Sequence, residues 1–153
     1  MGKTVKLAIA ILVALVLTDA TSTRSSVRAD GGSGNGVTCF MDVLVETKDT
    51  SGRVVSREAY QKEFVLAEGE FFFDDFSTRT RFKFFTATMS KLDGDKTIDV
   101  NWFADVTVFN SVDFDTSVTL SDGQKTGKSA GRHTLYTSSG ATTTTYSLTC
   151  SEN

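Results

Sequence analysis

The chain has 153 residues, of which 39% are hydrophobic and 10% aromatic, and its formal net charge at pH 7 is −3. Its lysines and arginines form no cluster, which argues against nucleic acid or an anionic membrane surface as the main partner. With two cysteines and a single histidine, the chain has few groups for a thiol- or histidine-dependent active site. A structural zinc site, which takes about four ligands, is equally hard to assemble.

The first residues predict an exported protein, secreted or periplasmic. Two lysines precede an apolar run over residues 7–17, which as a helix would rise about 16 Å and is too short to cross a bilayer core of roughly 30 Å. This is the pattern of a signal peptide, and we place it with its cleavage region at residues 1–29. Cleavage after Ala20 would leave a net charge of −4 and cleavage after Ala29 one of −6, because the leader carries more basic than acidic residues. No second apolar segment follows, so no transmembrane segment is expected in the mature form.

A glycine-rich linker at residues 30–37 is expected to precede a single β domain at residues 38–153. Apolar residues then alternate with others from Cys39 to Val45, which predicts a first strand with one buried face. A turn at residues 49–52 leads to a second predicted strand, Val54 to Leu66.

Phenylalanines dominate the next part of the chain, at Phe71 to Phe73 and again between Phe82 and Phe85. Successive side chains of a strand point to opposite faces, so three consecutive phenylalanines must place at least one ring on each face. A turn at residues 93–95 separates this part from the strand with the clearest alternation. In that strand Trp102 belongs to the apolar face, while Phe103 and Phe109 belong to the opposite face. The candidate interaction residues are therefore Phe71, Phe72, Phe103 and Phe109.

The remaining chain predicts one more long strand and a closing hairpin. Apolar residues alternate from Val112 to Leu120, residues 127–131 are interpreted as a loop, and residues 133–137 and 142–150 as the two arms of the hairpin. The predicted fold is all-β, an antiparallel β-sandwich of about 7–9 strands. A small β-barrel is the alternative, since its strands would show a similar alternation.

The two cysteines are expected to form a disulfide bond, because a pair of cysteines in an exported protein most simply pairs with itself. Cys39 shares its predicted face with Met41 and Val43, and Cys150 shares its face with Tyr146 and Leu148. Both sulfur atoms would then point into the core from the two ends of the β domain.

No cofactor is expected from the sequence. Calcium is the one metal for which oxygen ligands occur close together, at Asp93, Asp95 and Asp99, but the acidic spacing is not that of an EF-hand loop. Any catalytic triad would have to use His133, which we interpret as a surface histidine. We therefore expect that the protein is not an enzyme.

Three functional hypotheses follow. The first is a secreted or envelope-associated structural or interaction domain, whose partner is a protein, a cell surface or a second copy of the chain. The second is a binding module for a carbohydrate or a small molecule. The third, a secreted hydrolase, would depend on His133.

Overall fold

A computed structural model describes residues 36–106 and 110–153, so the predicted signal peptide and residues 30–35 of the predicted linker lie outside the described residues. The first strand begins at Val37, the last residue of the predicted linker, whose side chain is fully buried. The described residues form no helix and eight strands: β1 (Val37–Asp49), β2 (Val54–Leu66), β3 (Phe71–Asp75), β4 (Lys83–Leu92), β5 (Asp95–Asp105), β6 (Ser111–Leu120), β7 (Thr126–Thr137) and β8 (Gly140–Glu152).

The strands form two antiparallel sheets of four. One, here called the terminal sheet, has the order β2-β1-β8-β7 and contains both the first and the last strand. The other, the central sheet, has the order β3-β4-β5-β6, so that each strand pairs with its neighbour in sequence. Among the described residues no ladder joins β2 to β3 or β6 to β7, as a closed barrel would require. The predicted β-sandwich is confirmed, and the alternative of a small barrel is not.

The core lies between the sheets and is built from the alternating apolar positions that the sequence shows. β1 and β8 bury their apolar faces from the terminal sheet, and β4, β5 and β6 bury theirs from the central sheet. Trp102, predicted on the apolar side of its strand, is buried between the rings of Phe76 and Phe114. Its indole N–H has no hydrogen-bond partner within the described parts of the chain.

The predicted disulfide bond is confirmed. Cys39 of β1 and Cys150 of β8 are direct partners in the antiparallel register, with their Cα atoms 4.1 Å apart. Both cysteines are fully buried, as expected from the apolar residues that share their faces. The bond joins positions 111 residues apart and so links the two ends of the described domain.

The prediction of a loop at residues 127–131 is wrong, because these residues belong to β7. The glycines that suggested a loop serve close packing. A Cβ atom at Gly127 would lie 2.6 Å from Val118 Cγ1, and one at Gly131 would lie 2.4 Å from the Tyr146 hydroxyl. Glycine therefore lets β7 approach β6 at one position and lets the Tyr146 ring lie against β7 at the other.

Polar contacts tie β2 to the central sheet at one edge of the sandwich. Glu58 of β2 pairs with Lys83 of β4 and, at 2.6 Å, with Arg81. Further along β2, the Tyr60 hydroxyl donates to Asp74 Oδ2 at 2.9 Å, and Lys62 Nζ lies 3.1 Å from the same oxygen atom. Burial and the neighbouring Asp74 carboxylate raise the pKa of Tyr60 well above its usual range.

The raised pKa of Tyr60 predicts a loss of stability in base. Above about pH 10 a tyrosine in the unfolded chain releases its proton, whereas Tyr60 in the folded protein keeps it, so the free energy of unfolding falls as the pH rises. We expect this group to contribute a loss of about 1 kcal/mol per pH unit above pH 10. The measurement is urea unfolding at pH values from about 8 to about 12. This range brackets the ordinary tyrosine pKa of about 10.

In the Tyr60→Phe variant the free energy of unfolding should fall less steeply with pH, by that amount. The variant also starts from a lower stability, because it lacks the hydrogen bond to Asp74. Tyr136 is 79% exposed, and Tyr136→Phe serves as the matched control whose curve should follow that of the wild type. Equal slopes for Tyr60→Phe and the wild type would contradict the prediction.

Candidate functional site

The outer face of the central sheet carries phenylalanines where a solvent-facing strand ordinarily carries polar residues. Phe71 and Phe73 stand two positions apart on β3, and Phe82, the residue before β4, stands two positions before Phe84, so the rings of each pair point to the same side. With one ring from β5 they make up the phenylalanine patch: Phe71, Phe73, Phe82, Phe84 and Phe103. The first three side chains are 64%, 52% and 57% exposed.

The five rings are in contact across three neighbouring strands. Phe84 and Phe103 stack with centroids 5.3 Å apart and planes 13° apart. Phe82 packs edge-on against both, at 5.5 and 6.1 Å. Phe73 lies 6.4 Å from Phe84 and 6.4 Å from Phe71. The patch is therefore one continuous aromatic surface rather than a set of isolated exposed side chains.

Strand register brings these rings together. Phe84 lies directly opposite Phe103 in the β4–β5 pair. Phe73 and Phe71 lie opposite Thr86 and Thr88 in the β3–β4 pair, so their rings flank the small side chains of the neighbouring strand. Because β3 is the edge strand of the central sheet, the patch reaches from the middle of the sheet to its edge.

The same face is acidic. Asn101 of β5 donates through its amide nitrogen to carboxylate oxygens of Asp113, at 2.9 Å, and Asp115, at 3.0 Å. No lysine or arginine occupies an outward position in the described strands of the central sheet. The aspartates at outward positions close to the patch are Asp75, Asp99, Asp105, Asp113 and Asp115.

The rim of the patch keeps its charge. Hydrogen bonding to Ser77, whose backbone N–H donates to Asp75 Oδ1 at 2.9 Å, lowers the pKa of the Asp75 carboxyl below its ordinary value. Asp105 is held by the backbone N–H of Phe82, 2.8 Å from its Oδ2. The negative charge is thus fixed in position beside exposed rings.

A shallow, open depression of about 400 Å³ adjoins the patch. Polar side chains of three strands line it: Thr86 and Thr88 of β4, Asp99 and Asn101 of β5, and Asp115 and Ser117 of β6. Aromatic rings therefore border a surface rich in hydrogen-bonding groups. This combination of an apolar rim and a few fixed polar groups is typical of a binding surface.

The structure divides the interaction residues predicted from the sequence. Phe71 and Phe103 belong to the patch. Phe72 does not, because its ring points inward and packs against Phe64 at 5.3 Å and Phe85 at 5.9 Å. Phe109 lies outside the described residues.

Sequence reasoning did not select Phe73, Phe82 or Phe84. The signal that could have found them is the spacing of two between Phe71 and Phe73 and between Phe82 and Phe84, which places each pair on one face of a strand.

The candidate calcium ligands do not come together. Asp93 adopts a positive φ of 53° in the turn between β4 and β5, and Asp95 accepts a hydrogen bond from the backbone N–H of Asp122 at 3.0 Å. Asp99 lies in the depression on the outer face. Within residues 36–106 and 110–153, no three histidine, cysteine or acidic side chains are grouped as a metal ion requires.

His133 lies on β7, where its exposed ring stacks near those of Tyr146, at 5.9 Å, and Phe114, at 6.4 Å. Its exposure agrees with the interpretation as a surface histidine. Whether any activity depends on it stays a prediction.

No protein-family model matches this chain, and no curated protein is significantly similar to it. In the part of the chain that the structure describes, no helix is both long enough and apolar enough to cross a membrane.

Proposed function

We propose that this protein is an exported, non-catalytic interaction domain, and that the outer face of its central sheet binds a protein segment carrying both basic and apolar side chains. The observation that carries the proposal is the phenylalanine patch with its fixed aspartates. The apolar area of that surface supports a partner with apolar side chains, and its negative charge supports a partner with basic side chains.

The apolar part is supported by the continuity of the patch. Single exposed hydrophobic residues are normal on protein surfaces, but contiguous apolar patches rimmed by polar groups mark interaction sites. Aromatic residues are also enriched at protein interfaces, where they supply much of the binding energy. The five rings of the patch, each in contact with at least one other, meet this description.

The basic part is supported by charge complementarity. Aspartates surround the patch, and the described strands present no cation on this face to neutralise them. An arginine or lysine of a partner could pair with Asp99 or Asp115 and could also lie over an exposed ring, where a cation is attracted to the aromatic face. Complementary charge raises the association rate and selects the partner.

Two other occupants fit this surface less well. If two copies met through this face, the aspartates of one would be brought against those of the other, and like charges in contact are unfavourable. For a carbohydrate, the large indole ring of Trp102 would be the natural stacking platform, but it is buried in the core.

Export is part of the same proposal. The apolar run at residues 7–17 has the pattern of a signal peptide, and the disulfide bond between Cys39 and Cys150 suits an oxidising compartment. A partner met outside the cytoplasm, on a cell surface or in the envelope, is consistent with both features.

The test is a binding titration with two synthetic peptides of equal length, one alternating arginine with leucine and the other alternating glutamate with leucine. We expect the arginine peptide to bind and the glutamate peptide to fail. Replacing Phe73, Phe84 and Phe103 together by serine should weaken binding at least about tenfold, which corresponds to about 1.4 kcal/mol. Asp99→Asn with Asp115→Asn should weaken it as well and reduce its dependence on salt.

Exposed valines on the terminal sheet offer a matched control. Val55 and Val65 are about half exposed on β2, and replacing both by serine removes apolar surface far from the patch, so binding should not change. Equal affinity for the arginine and glutamate peptides would contradict the proposal that the partner carries basic side chains. Dimerisation, or glycan binding, that disappears in the phenylalanine variant would replace that partner by a second copy or by a carbohydrate.

A further inference from the structure

A second concavity lies between β6 of the central sheet and β7 and β8 of the terminal sheet, and none of the five phenylalanines of the patch lines it. It has a volume of about 260 Å³ and lies where the start of β6 faces the later half of β7 and the first half of β8. It is lined by Val112 and Asp113 of β6, His133 and Leu135 of β7, and Thr142 and Thr144 of β8. We call it the inter-sheet cavity.

The cavity wall holds an unusual polar group. Thr144 is 1% exposed, and its hydroxyl has no hydrogen-bond partner anywhere in residues 36–106 and 110–153. The hydroxyl of the adjacent inward threonine, Thr142, is by contrast paired with that of Thr47 at 3.2 Å. A buried hydroxyl without a partner destabilises the folded state. Valine has the same shape and would avoid this cost, so the threonine points to a ligand that supplies the missing partner.

Three aromatic rings lie at or beside the cavity. Phe114 and Tyr146 stack with centroids 4.3 Å apart and planes 12° apart, and the His133 ring lies within 15° of the plane of Tyr146. The three rings are thus nearly parallel, and the His133 ring is exposed. A planar ligand ring could lie against the exposed His133 ring, with Leu135 providing an apolar contact.

We infer that the inter-sheet cavity binds a small, neutral, monocyclic phenol, with its ring against His133 and Leu135 and its hydroxyl hydrogen-bonded to Thr144. The cavity volume is at the small end for ligand sites, which favours a single ring over a larger molecule. A phenol hydroxyl both donates and accepts, as the Thr144 hydroxyl does. Because that hydroxyl is covered, binding is expected to involve rotation of Thr144 about χ1. The inference does not depend on the function proposed above.

The experiment uses phenol itself, titrated into the purified protein and followed by backbone amide NMR, with benzene as the comparison ligand. We expect saturable shifts at residues 133–135 and 142–144, and tighter binding of phenol than of benzene. In Thr144→Val, phenol affinity should fall at least about fivefold and the preference over benzene should disappear, since both depend on one hydrogen bond. The same variant should unfold at a higher temperature, because an unpartnered buried hydroxyl has been removed.

Thr143 provides the matched control. It neighbours Thr144 on β8 but points to the other face, where its hydroxyl pairs with that of Thr134 at 3.1 Å. Thr143→Val should bind phenol as the wild type does. Absence of amide shifts at the cavity at millimolar phenol, or unchanged phenol affinity in Thr144→Val, would overturn the inference. The serine variant of Phe73, Phe84 and Phe103 should bind phenol normally, which separates this result from the test of the outer face.

Discussion

Replacing Cys39 and Cys150 together by alanine is expected to lower the free energy of unfolding by at least about 4–5 kcal/mol, the contribution of the cross-link alone. The two cysteines are 111 residues apart in sequence and direct partners in β1 and β8. Their bond therefore restricts the unfolded chain over nearly the whole described domain, and the stabilisation from such a cross-link grows with the length of the closed loop. Guanidinium unfolding of the variant and the wild type measures the difference.

Loss of packing must be separated from loss of the cross-link, because both cysteines are fully buried. A second variant with valine at both positions refills most of the space, so the part of the loss that persists in it belongs to the cross-link. Wild-type protein kept reduced should show a loss of similar size. Unchanged stability on reduction would show that the bond does not stabilise this fold.

Phe85→Ala is expected to cost about 3–5 kcal/mol, the usual range when a buried phenylalanine is truncated. Phe85 is fully buried in β4, and its ring contacts those of Tyr60, Phe64 and Phe72 at centroid distances of 5.7, 5.2 and 5.9 Å. Removing it leaves a cavity between the two sheets and deprives three aromatic neighbours of contacts. Urea unfolding is the appropriate measurement.

Phe84 is the matched control, since it has the same side chain one position earlier in the same strand but faces outward into the phenylalanine patch. Phe84→Ala should cost less, about 1–2 kcal/mol, because the half-buried ring loses contacts with three other rings but leaves no cavity in the core. It should nevertheless weaken binding through the outer face. If the two substitutions cost the same, the assignment of faces in β4 would be contradicted.

Several features of the fold followed from the sequence because they depend on local periodicity. Strict alternation predicted which faces of β1, β5 and β6 are buried, with Trp102 inward and Phe103 outward. The same reasoning predicted that Cys39 and Cys150 point toward the core, where they form the disulfide bond. Strong alternation predicts the buried face reliably, because shifting a strand by one residue would turn all of its apolar side chains to the solvent.

The loop predicted at residues 127–131 shows where local signals fail. Glycine ordinarily weakens a strand, so Gly127 and Gly131 argued against one. In the folded protein these glycines are required by neighbours distant in sequence, Val118 on β6 and Tyr146 on β8. A glycine within a strand can therefore mark either a loop or a close approach, and only the neighbouring strands decide between them.

The candidate site was only partly predictable for a similar reason. Three consecutive phenylalanines show that the rings must divide between two faces, but not which face of β3 is covered. That was decided by the pairing of β3 with β4, which turns Phe72 toward Phe64 and Phe85 and leaves Phe71 and Phe73 outside.

Residue type and spacing were enough to predict the all-β class, the buried faces of the strongly alternating strands and the pairing of the two cysteines, because these follow from local periodicity and from there being only two cysteines. The assembly of five phenylalanines, four from three strands and Phe82 from the residue before β4, into one surface beside aspartates depends on the folded structure. The folded structure also decided that the Thr144 hydroxyl is buried without a partner at a cavity wall. Both depend on the register between strands and the stacking of sheets, which bring together residues far apart in the chain.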